Sequence, residues 1–138
     1  MVNEAVLVYE LELPIAFTCA NGTGIEKGTL LTLSDPHTAA GTTTKEAIIA
    51  GIAAQEKIAS DGKTKIAVYQ RGFFKMTASG SIGVGDALIS SAGSGGAVQN
   101  LVEAAGVDAE DIVGISEEAA TTGQTFLMRL NPMTVNLA

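Results

Sequence analysis

Apolar and polar residues alternate strictly near the start of the chain. Leu7, Tyr9, Leu11, Leu13, Ile15 and Phe17 share one parity, while Glu10 and Glu12 take the other. Side chains on one face of a β-strand recur every second residue, so this pattern predicts one long strand or an extended arm. Pro14 has no amide donor and must fall at an edge or a bend. After the Asn21-Gly22-Thr23-Gly24 turn signal, short apolar runs follow one another: Leu30 to Leu33, Lys65 to Met76, Leu88-Ile89, Val98 to Val102, Ile112 to Ser116 and Thr125 to Leu130. Each is bounded by Gly, Asp, Asn or Ser, which supply turn geometry. Ala47 to Ala54 is ambiguous between a short helix and a buried strand, because Ala and Ile serve either. Asp61-Gly62 is a hairpin signal. Asp108 to Asp111 resembles one helical turn opened by acidic residues.

Many short strands without a long amphipathic helix predict a mostly β fold: a compact β-barrel, β-tulip or jelly-roll-like domain with at most short helices. The chain also echoes itself. Ile25 to Leu31 resembles Ile82 to Ile89, Ala50-Gly51-Ile52 resembles Val113-Gly114-Ile115, and Gly62-Lys63-Thr64 resembles Gly123-Gln124-Thr125. The offsets are 57, 63 and 61 residues, in the same order. Order and offset together predict two related halves, about 25–75 and 82–130. Residues 1–20 then form an N-terminal strand or arm, and 21–138 a single β-rich domain.

Composition narrows the chemistry. The 138 residues are 46% hydrophobic and 17% charged, which suits one folded domain rather than a disordered chain. With aromatics at 4% and no Trp, a stacking platform for single-stranded nucleic acid is not expected. A net charge of -7 opposes binding to a phosphate backbone. No run of about 20 apolar residues suggests a membrane helix, and the N-terminus lacks the basic and apolar regions of a secretory signal. The charge is uneven. Residues 45–75 hold six basic and three acidic side chains, and 76–128 hold none and seven. Such asymmetry suits head-to-tail contact between copies, or is ordinary surface charge.

One Cys and one His exclude disulfide frameworks and Cys/His zinc sites. Cys19 with His37 is a conceivable nucleophile–base dyad, but Cys commonly only packs and His37 lies in a Ser34-Asp35-Pro36 loop. The late acidic residues Glu103, Asp108, Glu110, Asp111, Glu117 and Glu118 lack the alternating pattern and turn glycine of a calcium loop. Paired-carboxylate glycosidase chemistry usually comes with aromatic sugar platforms, which are scarce here. Gly80 to Gly83 and Gly93 to Gly96 lack the Gly-Lys-Ser/Thr ending of a phosphate loop and read as turns. Catalytic residues, metal and cofactor are therefore all expected to be absent. Phe73 and Phe74 are adjacent, so on a strand one ring faces the core and the other can anchor an interface.

The succession of glycine turn, short strand, Ala50-Gly51-Ile52-Ala53-Ala54-Gln55-Glu56, Gly62-Lys63-Thr64 and Ile66 to Phe74 resembles the capsid cement, or head decoration, proteins of tailed phages. Ile82-Gly83-Val84-Gly85-Asp86-Ala87-Leu88 and the closing run from Ile112 to Leu130 resemble the same family. The resemblance spans about Gly28 to Leu130, and the alternating N-terminus departs from it. It implies a non-enzymatic virion protein on the outer surface of the expanded capsid, made in the host cytoplasm. Its partners would be the major capsid protein and itself, as a homotrimer, with neither nucleic acid nor membrane. The expected capsid or subunit contacts are Val6, Val8, Tyr9 and the exposed side of Phe73-Phe74. The N-terminal segment could add a strand to a capsid sheet edge or serve its own domain. Alternatives are another β-rich virion component, such as a tail protein, or a small ligand-binding β-barrel, which needs a hollow interior.

Overall fold

A computed structural model describes residues 4–42, 48–91, 98–100 and 111–134, and every regular element among them is a β-strand. The strands are β1 (Val6–Glu10), β2 (Ile15–Thr18), β3 (Leu30–Asp35), β4 (Thr38–Gly41), β5 (Ile49–Ala53), β6 (Lys65–Tyr69), β7 (Gly72–Thr77), β8 (Ala87–Ser90), β9 (Val98–Asn100), β10 (Asp111–Ser116) and β11 (Thr125–Thr134). The first half closes into a five-stranded barrel in the order β2-β4-β3-β5-β6. The second half, with β1, makes a six-stranded sheet in the order β1-β7-β11-β10-β8-β9.

Of the ambiguous Ala47 to Ala54 run, Ala47 lies outside the described residues and Ile49–Ala53 is β5, buried along its whole length. It packs on both faces, which explains why it lacks alternation. Lys65 to Met76, which reads as one strand, is two. The chain leaves the barrel at Gln70-Arg71 and enters the sheet at Gly72. The predicted turn at Asp108 lies outside the described residues except for Asp111, which begins β10.

The two halves are wired alike. Ile25 and Lys57 exchange amide bonds of 2.8 and 2.7 Å, as Ile82 and Ala120 do at 2.8 and 3.0 Å. Gly28 donates to the Ala53 carbonyl and Ala53 to that of Thr29; Gly85 donates to Ser116 and Ser116 to Asp86 in the same way. A Cβ on Gly51 would run into the Tyr69 carbonyl, and one on Gly114 into the Arg129 carbonyl. Strand order repeats as well. Read from β2, the barrel runs β2-β6-β5-β3-β4, and the sheet runs β7-β11-β10-β8-β9. The sheet is thus the barrel's order opened at one seam, with β1 laid against β7.

Two apolar clusters hold the fold together. Phe17, Cys19, Ile25, Leu31, Ala39, Ala50, Ala53, Ile66 and Val68 form one, on the barrel strands and the turns beside them. Phe74, Met76, Leu88, Val113, Phe126, Met128 and Leu130 form the other, joined by Leu30 and Ile52 from the first half. Because β3 and β5 contribute to both clusters, the halves share apolar burial, the main favourable term in folding.

Candidate interaction surface

The alternating N-terminal segment is two strands serving two sheets. β1 pairs antiparallel with β7, and β2 pairs with β6 in the barrel. The parity expected for β1 breaks at Val8, where a bulge lets the register shift between Leu7 and Tyr9. An extra residue in one strand turns the following side chains to the opposite face. Leu7 therefore lies opposite Phe74 and packs against the core, whereas Tyr9 lies opposite Phe73 on the outer face. Tyr9 and Phe73 meet edge to face, with ring centroids 5.8 Å apart.

Phe74 is 1% exposed and packs edge to face on Tyr69. Phe74 is therefore the core-facing ring of the adjacent pair. Phe73 is half-buried on the outer face. Val6, Val8 and Tyr9 are exposed, Tyr9 by 62%. The exposed apolar run continues through Leu11, Leu13 and Ile15, with Leu13 at 77%. Scattered surface apolar residues need no explanation, but six exposed ones within ten residues of sequence are a local concentration.

Val6 and Tyr9 share the outer face of the sheet with further apolar positions. Register places Val6, Lys75 and Leu127 in one row, and Tyr9, Phe73, Arg129, Ile115 and Ala87 in the next. Lys75 is bonded to Glu118 at 2.7 Å, and Arg129 lies 3.9 Å from Glu117. The Lys75 hydrogen bond and the Leu127 amide hold the Glu118 carboxyl below its ordinary range. On β2 and β6 the outward positions are Ala16, Thr18, Lys65 and Ala67, an ordinary solvent face.

Cys19 and His37 are each engaged separately in the fold. Cys19 is buried, and desolvation raises its thiol pKa despite the opposing charge of Lys57. A raised pKa suppresses the thiolate that a nucleophile needs. His37 has a φ of 50°, places Nε2 2.7 Å from the Ala16 carbonyl oxygen and stacks on Phe17 at 4.2 Å. Among the described residues, no three His, Cys, Asp or Glu side chains gather as a metal site. Glu103, Asp108 and Glu110 lie outside those residues.

One buried charge escaped the sequence reading. The Lys57 side chain is 1% exposed, and its ammonium donates to the carbonyls of Asn21 and Ile58 and to Asp61 Oδ1, each at 2.9 Å. Three acceptors match its three donors. The sequence signal was Asp61 at i+4, but the Asn21 carbonyl comes from 36 residues away.

The fold has a known counterpart. The chain superimposes on the head fiber gp8.5 N base of bacteriophage phi29 with a TM-score of 0.54, covering 89% of this chain and 98% of that one. Sequence identity is 17%, so the likeness is one of fold. No family model matches the sequence. No curated protein matches it either.

Proposed function

We propose that this chain is a capsid decoration, or cement, protein of a tailed phage. It attaches as a homotrimer to the outer surface of the expanded capsid. There it bridges neighbouring major capsid subunits and stabilises the shell against the pressure of packaged DNA. The observation that carries this reading is the fold shared with a phage head fiber base over nearly the whole of both chains. The sequence resemblance to cement proteins supports it independently. So does the exposed apolar run from Val6 to Ile15, which gives a structural protein something to bury.

The mechanism is multivalent clamping. Each contact is modest, but a trimer touching several capsid subunits gains avidity through effective concentration. It requires no catalysis, cofactor or metal. Val6, Val8, Tyr9 and Phe73 are contact residues, and Leu11, Leu13 and Ile15 extend them. The matching amide bonds and strand orders support a duplicated unit over about 25–75 and 82–130. Ile25, Leu31, Ile66 and Val68 are buried among the barrel strands, which disfavours a hollow ligand-binding barrel.

The test is co-sedimentation with expanded and unexpanded phage capsids that lack decoration protein. Saturable binding to the expanded form, at a copy number set by local symmetry axes, is expected. Absence of binding to either form overturns the reading and directs attention to a tail role.

A further inference from the structure

Only two of the chain's eight basic residues are arginines, Arg71 and Arg129. They are far apart in sequence, and strand pairing brings them together. Gly72 of β7 lies level with Glu10 of β1 on one side and Leu130 of β11 on the other. Just past that row, Leu11, Arg71 and Asn131 meet, with Arg129 beside them, and line a recess of about 180 Å³. A second recess, of about 320 Å³, shares Arg71 and Asn131 and adds Glu12, Gln70 and Pro132. The internal partners of the two arginines are loose. Arg71 Nε lies 3.4 Å from Glu12 Oε2, and Arg129 Nε lies 3.9 Å from Glu117 Oε1. A charge-assisted hydrogen bond measures roughly 2.7–2.9 Å, so neither pair closes to that length. Both are made through Nε, which leaves the Nη–H groups to meet another acceptor.

We propose that this double-arginine recess is a carboxylate-binding site, which takes an Asp or Glu side chain from the surface of a protein partner. Charge selects the ligand. Two like charges lining one hollow repel, and an anion between them turns that repulsion into attraction. The planar guanidinium fork matches a carboxylate. Glu12 in the wall and Glu117 beside Arg129 make a phosphate dianion a poorer guest than a single carboxylate. The surroundings select a protein as its source. Leu11 lines the recess, and Leu11 and Leu13 are both exposed, so a polypeptide segment can bury apolar area there while it delivers the acid. The identity of the partner, a capsid subunit, rests on the preceding reading; the chemistry of the recess does not.

Two experiments test the site. With only two arginines, the labelled full chain gives two Nε–Hε signals in a nitrogen–proton correlation spectrum at mildly acidic pH, and Arg71→Lys and Arg129→Lys assign them. Acetylated, amidated hexaglutamate should move both signals together, to saturation and with one midpoint. Hexaglutamine should leave them in place, and inorganic phosphate should move them less at equal concentration. The proposal is overturned if neither signal responds to hexaglutamate, if hexaglutamine acts equally, or if phosphate acts more strongly. Co-sedimentation with expanded capsids is the second test. The double variant Arg71→Gln/Arg129→Gln should bind about tenfold more weakly, whereas Lys65→Gln, on the outward face of the barrel, should bind as the wild type does. Undiminished binding by a double variant with native circular dichroism also overturns the site; if that variant fails to fold, the hexaglutamate titration of the wild type decides. The two failures are distinct. A wild type that takes hexaglutamate but ignores capsids sinks only the capsid reading, and one that binds capsids without a response to hexaglutamate sinks only the recess.

Discussion

Lys57 shows what one residue does in this fold. Its ammonium ties the turn at Asn21 to the loop at Ile58 and Asp61, next to the bridge between Ile25 and Lys57. Lys57→Met keeps the apolar stem and removes three charge-assisted donors. Hydrogen bonds to charged groups are worth about 1.5–3 kcal/mol, and a loss of that order is expected, read as a lower urea midpoint with unchanged slope. Titration gives a second expectation. The Lys57 hydrogen bond and the Lys63 amide hold Asp61 below its ordinary 3.8, and Glu118 is held below 4.5. Carboxyls with lowered pKa stabilise the fold above their unfolded values, and that contribution is lost as pH falls through the folded values. Cys19 and Tyr69 are raised from 9.0 and 10.0, mainly by desolvation, so their contribution is lost as pH rises above those values. Thermal melts across pH should therefore show a plateau between about 5 and 8, falling on both sides. Continued stabilisation below pH 4 would contradict these contacts. At this scale the alternation of Phe73 and Phe74 was legible, because neighbours on a strand must face opposite ways. The Lys57 cluster was not, because two of its acceptors are backbone carbonyls that only the folded chain brings together.

At the scale of elements, the glycine echoes have a steric cause. Gly51 and Gly114 lie on β5 and β10, each where a carbonyl of the partner strand comes too close for a Cβ. Gly114→Ala must push β11 away from β10, along a pairing that holds the second core together. Overpacking of this kind typically costs about 1–3 kcal/mol, and the melting temperature should drop by several degrees. A neutral Gly114→Ala would show that the strands have room to separate. Strand positions were largely readable from period and turn residues. What misled was β1, where the bulge at Val8 reverses the face that parity assigns to Tyr9. A bulge depends on the partner strand, and the partner lies about 65 residues further along. The break between β6 and β7 was hidden for a related reason. Both are good strands, and only their assignment to different sheets separates them.

At the scale of the whole molecule, the mostly β class was evident from composition and turns. The closing of one half into a barrel and the opening of the other were not. The barrel closes through a single parallel pairing, Thr18 with Thr38, which leaves no periodic trace in the sequence. The topology also has a mechanical side. β1 and β11 both run antiparallel to β7 and flank it, so they are parallel to each other. Val6 and Leu127 sit level across Lys75, and Glu10 and Leu130 sit level across Gly72. Tension applied between the start of β1 and the end of β11 would pull these strands in opposite directions along their own axes. The ladder bonds lie across that direction and share the load, instead of parting one at a time as in an unzipped hairpin. The arrangement that fills the seam of the opened half thus also makes β7 a shear clamp between the first and last strands of the described residues, suited to bearing a load.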